Sequence, residues 1–263
     1  MKEIKEITKG KSSNYIIKFT DNATLKVNED VLVRFRLLKG TRLDEKELEK
    51  IKTEADFQVG LQVALRYLSF QMRSEYELRT QLKNKEIQDI AKIIQRLKEM
   101  NLLNDENFAQ SFVRTQKNTS DKGPQQIKHL LRQKGMDSQI IDVAMEEFPQ
   151  EEQDLACAKL AQKLTKKYSN KSHREALQKI RLSLMNKGFY SNSVNFAMDE
   201  LEFEEDEEQQ FELLQKETEK LWHKHRNLEG YKKYMKVKQA LYKKGFDLDA
   251  IDKAIDEVKL EDE

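Results

Sequence analysis

Metal binding, nucleophilic attack and proton transfer each need particular residues at particular spacings, and this chain offers the residues without the spacings. Its histidines are His129, His173, His223 and His225. The last two, at i and i+2, point to different sides of a helix, whereas a two-ligand helical metal site needs i and i+4. Cys157 is the single cysteine, which leaves neither an internal disulfide nor a cysteine cluster. Neither a glycine-rich phosphate loop nor a nucleophile elbow occurs. Carboxylates abound, but in runs such as Glu204–Glu208 they read as a solvated linker and not as an acid/base dyad. Trp222 and Tyr231–Tyr234 could form a stacking platform, although packing is the commoner use of such residues. These residues predict a protein that is not an enzyme and takes no metal or cofactor.

The chemistry left is electrostatic recognition, and the charge is segmented. A formal net charge of +1 conceals blocks of opposite sign. Residues 156–198 hold 9 Lys and Arg against 1 acidic residue, and residues 199–219 hold 1 against 11. Like charges in such blocks repel unless opposite blocks lie beside them or a partner neutralises them. One use is mutual solvation, with acidic third helices paired to basic second helices of neighbouring units. The other is a basic concave groove facing a long polyanion, either nucleic acid or an acidic protein fibre. The residues expected to line it are Lys83, Lys85, Lys128, Arg132, Lys134, Lys179, Arg181, Lys187, Lys236, Lys238, Lys243 and Lys244.

A repeat positions these residues. Ile127–Phe148, Ile180–Leu201 and Val237–Val258 align without a gap. In each, a Lys/Arg-rich amphipathic helix ends at a Lys-Gly pair, followed by an apolar residue, a polar turn and an acidic amphipathic helix. Apolar residues at intervals of three and four put one stripe of each helix in a core. Gly135, Gly188 and Gly245 stand where the helix must end in a left-handed residue, so that Met136, Phe189 and Phe246 fold back onto it. The second unit predicts helices over Asp105–Thr115, Pro124–Lys134 and Asp137–Glu147. An earlier copy at Leu78–Leu97 carries Lys85-Glu86 in place of Lys-Gly, which implies a different helix stop.

The first 40 residues read otherwise. Tyr15–Phe19 and Ala23–Val27 are β-prone runs around Asp21-Asn22, which predicts a hairpin, with a third strand near Ile4–Thr8. Asn28 should cap a helix over Glu29–Leu38 that stops at Gly40. Asp44 should open the next helix, with Glu47 completing a capping box. The expected fold is mainly α: tandem three-helix repeats stacked into an elongated, curved rod, with a small N-terminal β-hairpin and helix segment. The expected divisions are 1–56 for that segment and 57–104, 105–149, 150–203 and 204–263 for four repeats.

With 36% charged residues, 38% apolar residues and only 8 Gly and 2 Pro in 263, thin stacked cores are favoured over one thick one. Met1–Lys11 is too charged for a signal peptide, no apolar run approaches the roughly 18 residues of a membrane span, and one cysteine suits a reducing compartment. A cytoplasmic protein is expected.

Ala64–Ser69 (ALRYLS), Met72–Arg79 (MRSEYELR), Leu82 and Lys85 resemble the signature of the RecX family of bacterial recombination regulators. So do Leu102–Asp105 (LLND) with Phe108 and Ala109, and Gly123 ahead of Ile127, Leu131, Lys134 and Gly135. The likeness covers about residues 57–203, and the hairpin and fourth unit resemble those of longer members. Gln71, where a basic residue is common, and Glu86, where glycine is usual, depart from the pattern. The resemblance implies three-helix units lying in the helical groove of the RecA nucleoprotein filament. It also implies damping of filament growth, ATP turnover, strand exchange and the RecA-stimulated repressor cleavage of the SOS response. It carries Arg66, Arg73, Glu75, Glu77 and Arg79 to the first unit, and Asp105, Lys134 and Gly135 to the second. Ser74 with Glu77, and Asp105, also read as helix caps. A monomer that meets RecA, and DNA directly or through the filament, is the expected partner arrangement. Free-standing nucleic-acid binding is the competing function.

Overall fold

A computed structural model describes residues 1–10, 14–204 and 206–262. Lys11, in the charged N-terminal stretch, and Glu205, in the carboxylate run, lie outside the described residues. Among the described residues there are thirteen helices and four short strands. The chain forms two compact units, residues 1–109 with 131–141, and residues 110–130 with 142–263.

The first unit begins with β1 (Lys2–Lys9), β2 (Asn14–Phe19) and β3 (Thr24–Asn28). The expected hairpin and third strand are present. A two-residue strand, β4 (Arg42–Leu43), pairs with the start of β1 and completes an antiparallel sheet of order β3-β2-β1-β4. Alternate residues Ile17 and Phe19, with Ile4 and Val27, turn into a core closed by Val31, Leu37 and Leu43. Asn28 caps α1 (Glu29–Arg34) by accepting from the Val31 N–H at 3.0 Å. That helix is shorter than expected: Arg36 adopts a positive φ of 48°, and the chain leaves the helix there instead of running on to Gly40.

Asp44 and Glu47 form the capping box of α2 (Glu45–Leu68), as the spacing predicts. The 24-residue helix runs unbroken through residues 56 and 57, the expected division. Leu48, Ile51 and Ala55 enter the sheet's core, whereas Phe57 and Ala64 enter the next one. Glu54, near the middle, accepts from Arg34 at 2.8 Å and so ties α1 to α2.

Phe57 and Ala64 meet α3 (Glu75–Asn84) and α4 (Ile90–Glu99) through Leu78, Leu82, Ile93, Ile94 and Leu97, all buried. The end of α3 corrects the expectation of a different stop. Glu86 holds the left-handed φ of 57° that glycine holds in the other repeats. The Ile87 N–H then reaches back to the Leu82 carbonyl at 3.1 Å, the hydrogen bond that closes a Schellman motif.

The second repeat comprises α5 (Asp105–Thr119), α6 (Pro124–Gln133) and α7 (Ser138–Met145). The second compact unit continues with α8 (Gln150–Tyr168), α9 (His173–Asn186) and α10 (Ser191–Asp199), around Cys157, Leu160, Ile180, Leu184, Phe189 and Val194. It ends with α11 (Glu207–Lys224), α12 (Gly230–Lys243) and α13 (Leu248–Asp262), around Leu214, Val237, Leu241, Ile251 and Ile255. Trp222 belongs to this last core and is 9% exposed, so it packs, whereas Tyr231 is exposed beside Tyr234. Gly135, Gly188 and Gly245 have φ of 83°, 86° and 87°. After each, the N–H of Met136, Phe189 or Phe246 returns to the carbonyl of Leu131, Leu184 or Leu241. The three apolar residues are buried against the helices they have just left, as expected.

Candidate partner interface

The Lys-Gly pairs do more than stop helices. In the first unit, Gly135 lies so close to the Tyr76 side chain that a Cβ there would overlap it. Beside it, Lys134 Nζ meets Glu77 Oε1 at 2.6 Å. Glu77 also accepts from the Ser74 N–H at 3.1 Å, while Ser74 Oγ accepts from the Glu77 N–H at 3.1 Å, the capping box of α3. Asp105 Oδ1 accepts from the Glu75 N–H at 2.8 Å, which satisfies another open donor of that helix. Asp105 is thus the first residue of α5 and a cap for α3, while Asn104 caps α5 itself through the Asn107 N–H.

The same joint recurs twice in the second unit. Gly123 and Gln125 donate their N–H groups to the carbonyls of Lys187 and Gly188, at 2.6 and 3.0 Å. Ser172, the cap of α9, donates its hydroxyl to the Lys244 carbonyl. In all three joints the carbonyl end of one second helix meets the amide end of another, so opposite helix-dipole ends face each other.

These joints alter the local acid–base balance. Burial opposes the charge on Glu77, but the Lys134 and Ser74 bonds outweigh it and hold the carboxyl below the usual glutamate range. Burial likewise opposes the charge on Glu75, and the bonds from Lys98 and Arg79 prevail. Asp105 moves the other way, raised chiefly by burial. The Lys244 bond lowers Glu217. Burial pushes the Cys157 thiol up to about 12, so at neutral pH it is a packed apolar group and not a nucleophile.

The expected binding residues divide by what they touch. Arg79 pairs with Glu75 and Lys134 with Glu77, each at 2.6 Å. Lys128 meets Asp142 at 3.2 Å, and Lys179 meets Glu175 at 3.4 Å. Lys238 bonds Asp252 at 2.7 Å, and Lys244 pairs with Glu217. Arg181 donates to Asn195 at 2.7 Å. Arg73 is half-buried with its guanidinium 4.5 Å from the Tyr67 ring centroid, a cation–π contact. Arg66, Lys83, Lys85, Arg132, Lys187, Lys236 and Lys243 are exposed. The ion pairs lie within one helix or one repeat, except Lys134–Glu77, which joins the second helices of two repeats. They are not the pairing of third helices with second helices of neighbouring units that mutual solvation predicts, and the seven residues just named face water.

The second unit also holds a basic cavity of about 620 Å³ where α8, the end of α9 and the loop before α6 meet. Lys122, Lys163, Lys167 and Lys187 line it, with Asp121 as the one carboxylate in the lining. Of these lysines only Lys187 was expected as a binding residue. Lys122 precedes Gly123 but stands in the loop before α6 and not at the end of a second helix, whereas Lys159, Lys163 and Lys167 recur at i, i+4 and i+8 on α8, a stripe that period alone reveals. Among the described residues no group of three His, Cys, Asp or Glu side chains is placed to hold a metal, and no helix is long and apolar enough to cross a membrane.

This geometry defines a mainly helical protein of tandem three-helix units, and comparison with known proteins places it within a class. Family profiles described as the first, second and third three-helix domains of RecX match residues 61–97, 104–145 and 207–255. The unit α8–α10 lies between the second and third of these matches. The chain is 44% identical over 263 residues to Regulatory protein RecX of Enterococcus faecalis, covering 99% of each. It is 38% identical over 251 residues to Regulatory protein RecX of Bacillus subtilis, covering 95% of each. A crystal structure of regulatory protein RecX matches with a TM-score of 0.65 and 36% identity, over 76% of this chain and all of that one. The chain belongs to the RecX family of regulatory proteins.

Proposed function

We propose that the chain is a non-catalytic, cytoplasmic regulator that lies as a monomer in the helical groove of the RecA nucleoprotein filament. There it limits filament growth, ATP turnover, strand exchange and coprotease activity. The observation that carries this reading is the likeness, over 99% of both chains, to a protein named Regulatory protein RecX. The exposed basic residues support it, because Lys187 and Lys243, one alignment position apart, both stand at the ends of second helices and offer charge from successive repeats to a repeating polymer. Purified protein added below equimolar amounts to a cognate RecA filament on single-stranded DNA should lower ATP hydrolysis and shorten filaments. Unchanged hydrolysis up to equimolar protein contradicts it.

The basic cavity of the second unit favours a second reading, direct nucleic-acid binding. That reading requires tight binding to naked strands, with log K falling by roughly 0.7 to 0.9 per phosphate contacted for each decade of salt.

A further inference from the structure

The cavity beside α8 is built from three separate stretches of chain. Lys122 comes from the loop between α5 and α6, Lys163 and Lys167 from α8, and Lys187 from the end of α9. Asp121, 3.1 Å from Lys163, is the one carboxylate lining it. An adjoining cavity of about 410 Å³ shares Lys122 and Lys163 with the first and adds Lys159. Lys159, Lys163 and Lys167 therefore run along both cavities on one stripe of α8, with backbone positions about 6 Å apart per four residues. Four ammonium groups against one carboxylate leave the space positive, and they repel one another until an anion enters.

We propose that this cleft is a binding site for a phosphate chain. Successive phosphates lie along the α8 stripe, while Lys122 and Lys187 reach them from the flanking walls. The charges are lysine point charges and not arginine forks, so the site reads charge and spacing without fixing the orientation of any one phosphate. Contacts of this kind position a polymer and carry no sequence information. The sugar–phosphate backbone of a nucleic-acid strand and free polyphosphate share this chemistry. Asp121 opposes it, since an entering phosphate must displace that carboxylate from Lys163. The nucleic-acid arm of this proposal rests on the second reading above, direct nucleic-acid binding, and the site needs no RecA, so its failure and the failure of the filament reading are separable.

The test uses the full chain at low salt and titrates it with inorganic tripolyphosphate and, separately, with a labelled single-stranded oligonucleotide. The variants are Lys163→Ala/Lys167→Ala/Lys187→Ala and Asp121→Asn. The control is Lys46→Ala/Lys50→Ala/Lys52→Ala, which removes three exposed lysines of α2. The cleft variant should bind at least roughly tenfold more weakly, Asp121→Asn should bind more tightly, and the control should match the parent protein. If the oligonucleotide follows this pattern and its salt slope falls by about 2 to 3 in the cleft variant, the occupant is a nucleic-acid strand. If tripolyphosphate alone follows it, the occupant is free polyphosphate. Absence of binding of both probes by the parent protein, equal losses in cleft variant and control, or weaker binding by Asp121→Asn overturns the proposal.

Discussion

Lys134 Nζ lies 2.6 Å from Glu77 Oε1, joining residues 57 positions apart in sequence. The same carboxylate closes the capping box of α3, so one side chain serves its own helix and holds the last turn of the next second helix. Both side chains are mostly shielded, at 26% and 20% exposure, which lifts the pair above an ordinary surface ion pair.

Replacing that lysine therefore tests the joint. Lys134→Ala should cost roughly 1–3 kcal/mol by leaving Glu77 short of its charged donor, whereas Lys187→Ala, an exposed site, should stay within about 0.5 kcal/mol of the parent. Thermal melts followed by circular dichroism will separate the two. Coincident melts for both variants would assign Lys134 to the surface and not to the joint.

Acid should weaken the same joint. The Glu77 carboxyl is held below its ordinary value of 4.5 because the Lys134 and Ser74 bonds outweigh the effect of burial. A carboxyl depressed on folding adds stability that is fully present above about pH 4.5 and is lost as pH falls through the lower folded value. Glu77→Gln keeps the shape and removes this dependence. The gap in Tm between parent and variant should be widest near pH 7 and should narrow below pH 4.5. A gap that stays constant down to pH 3 would contradict the assignment.

Two glycines with nearly the same backbone angle should respond differently to alanine. Gly40 and Gly188 have φ of 85° and 86°, but nothing lies within 4 Å of a Cβ at Gly40, whereas one at Gly188 would stand 2.7 Å from the Gln126 backbone nitrogen. Gly40→Ala should cost only the left-handed penalty of about 1–2 kcal/mol. Gly188→Ala should cost clearly more, because the joint with α6 must open as well. Urea unfolding of the two variants gives the comparison, and equal midpoints would show that the close approach has no energetic consequence.

Glu86 offers the converse. It occupies a left-handed position with φ of 57° and is exposed, so Glu86→Gly should stabilise the protein by roughly 0.5–1 kcal/mol, the strain relieved exceeding the added unfolded-state freedom. A lower urea midpoint would mean that the side chain makes a compensating contribution.

Much of this was legible from local pattern. Asn28, Asp44 with Glu47, and Ser74 with Glu77 announce helix starts, and Gly135, Gly188 and Gly245 announce stops, because caps act over three or four residues. What escaped the sequence is non-local or too short to have a period. Strand β4 is two residues long and exists through pairing with Lys2 and Glu3. Arg36 ends α1 early through a backbone angle that no residue type specifies. The partners of Lys134 and Lys244 depend on tertiary approach, so lysines that look alike at the Lys-Gly pairs do different work. The cleft lysines on α8 lie outside the second helices that the Lys-Gly motif marks, and their only signal in the sequence is the i, i+4, i+8 spacing.

The proposed regulation of RecA is tested most directly by ATP hydrolysis of preformed cognate RecA filaments at substoichiometric protein. Hydrolysis should fall progressively as this protein is added, with filaments shortening in parallel images. Filaments of unchanged length and unchanged turnover at an equimolar ratio would contradict it.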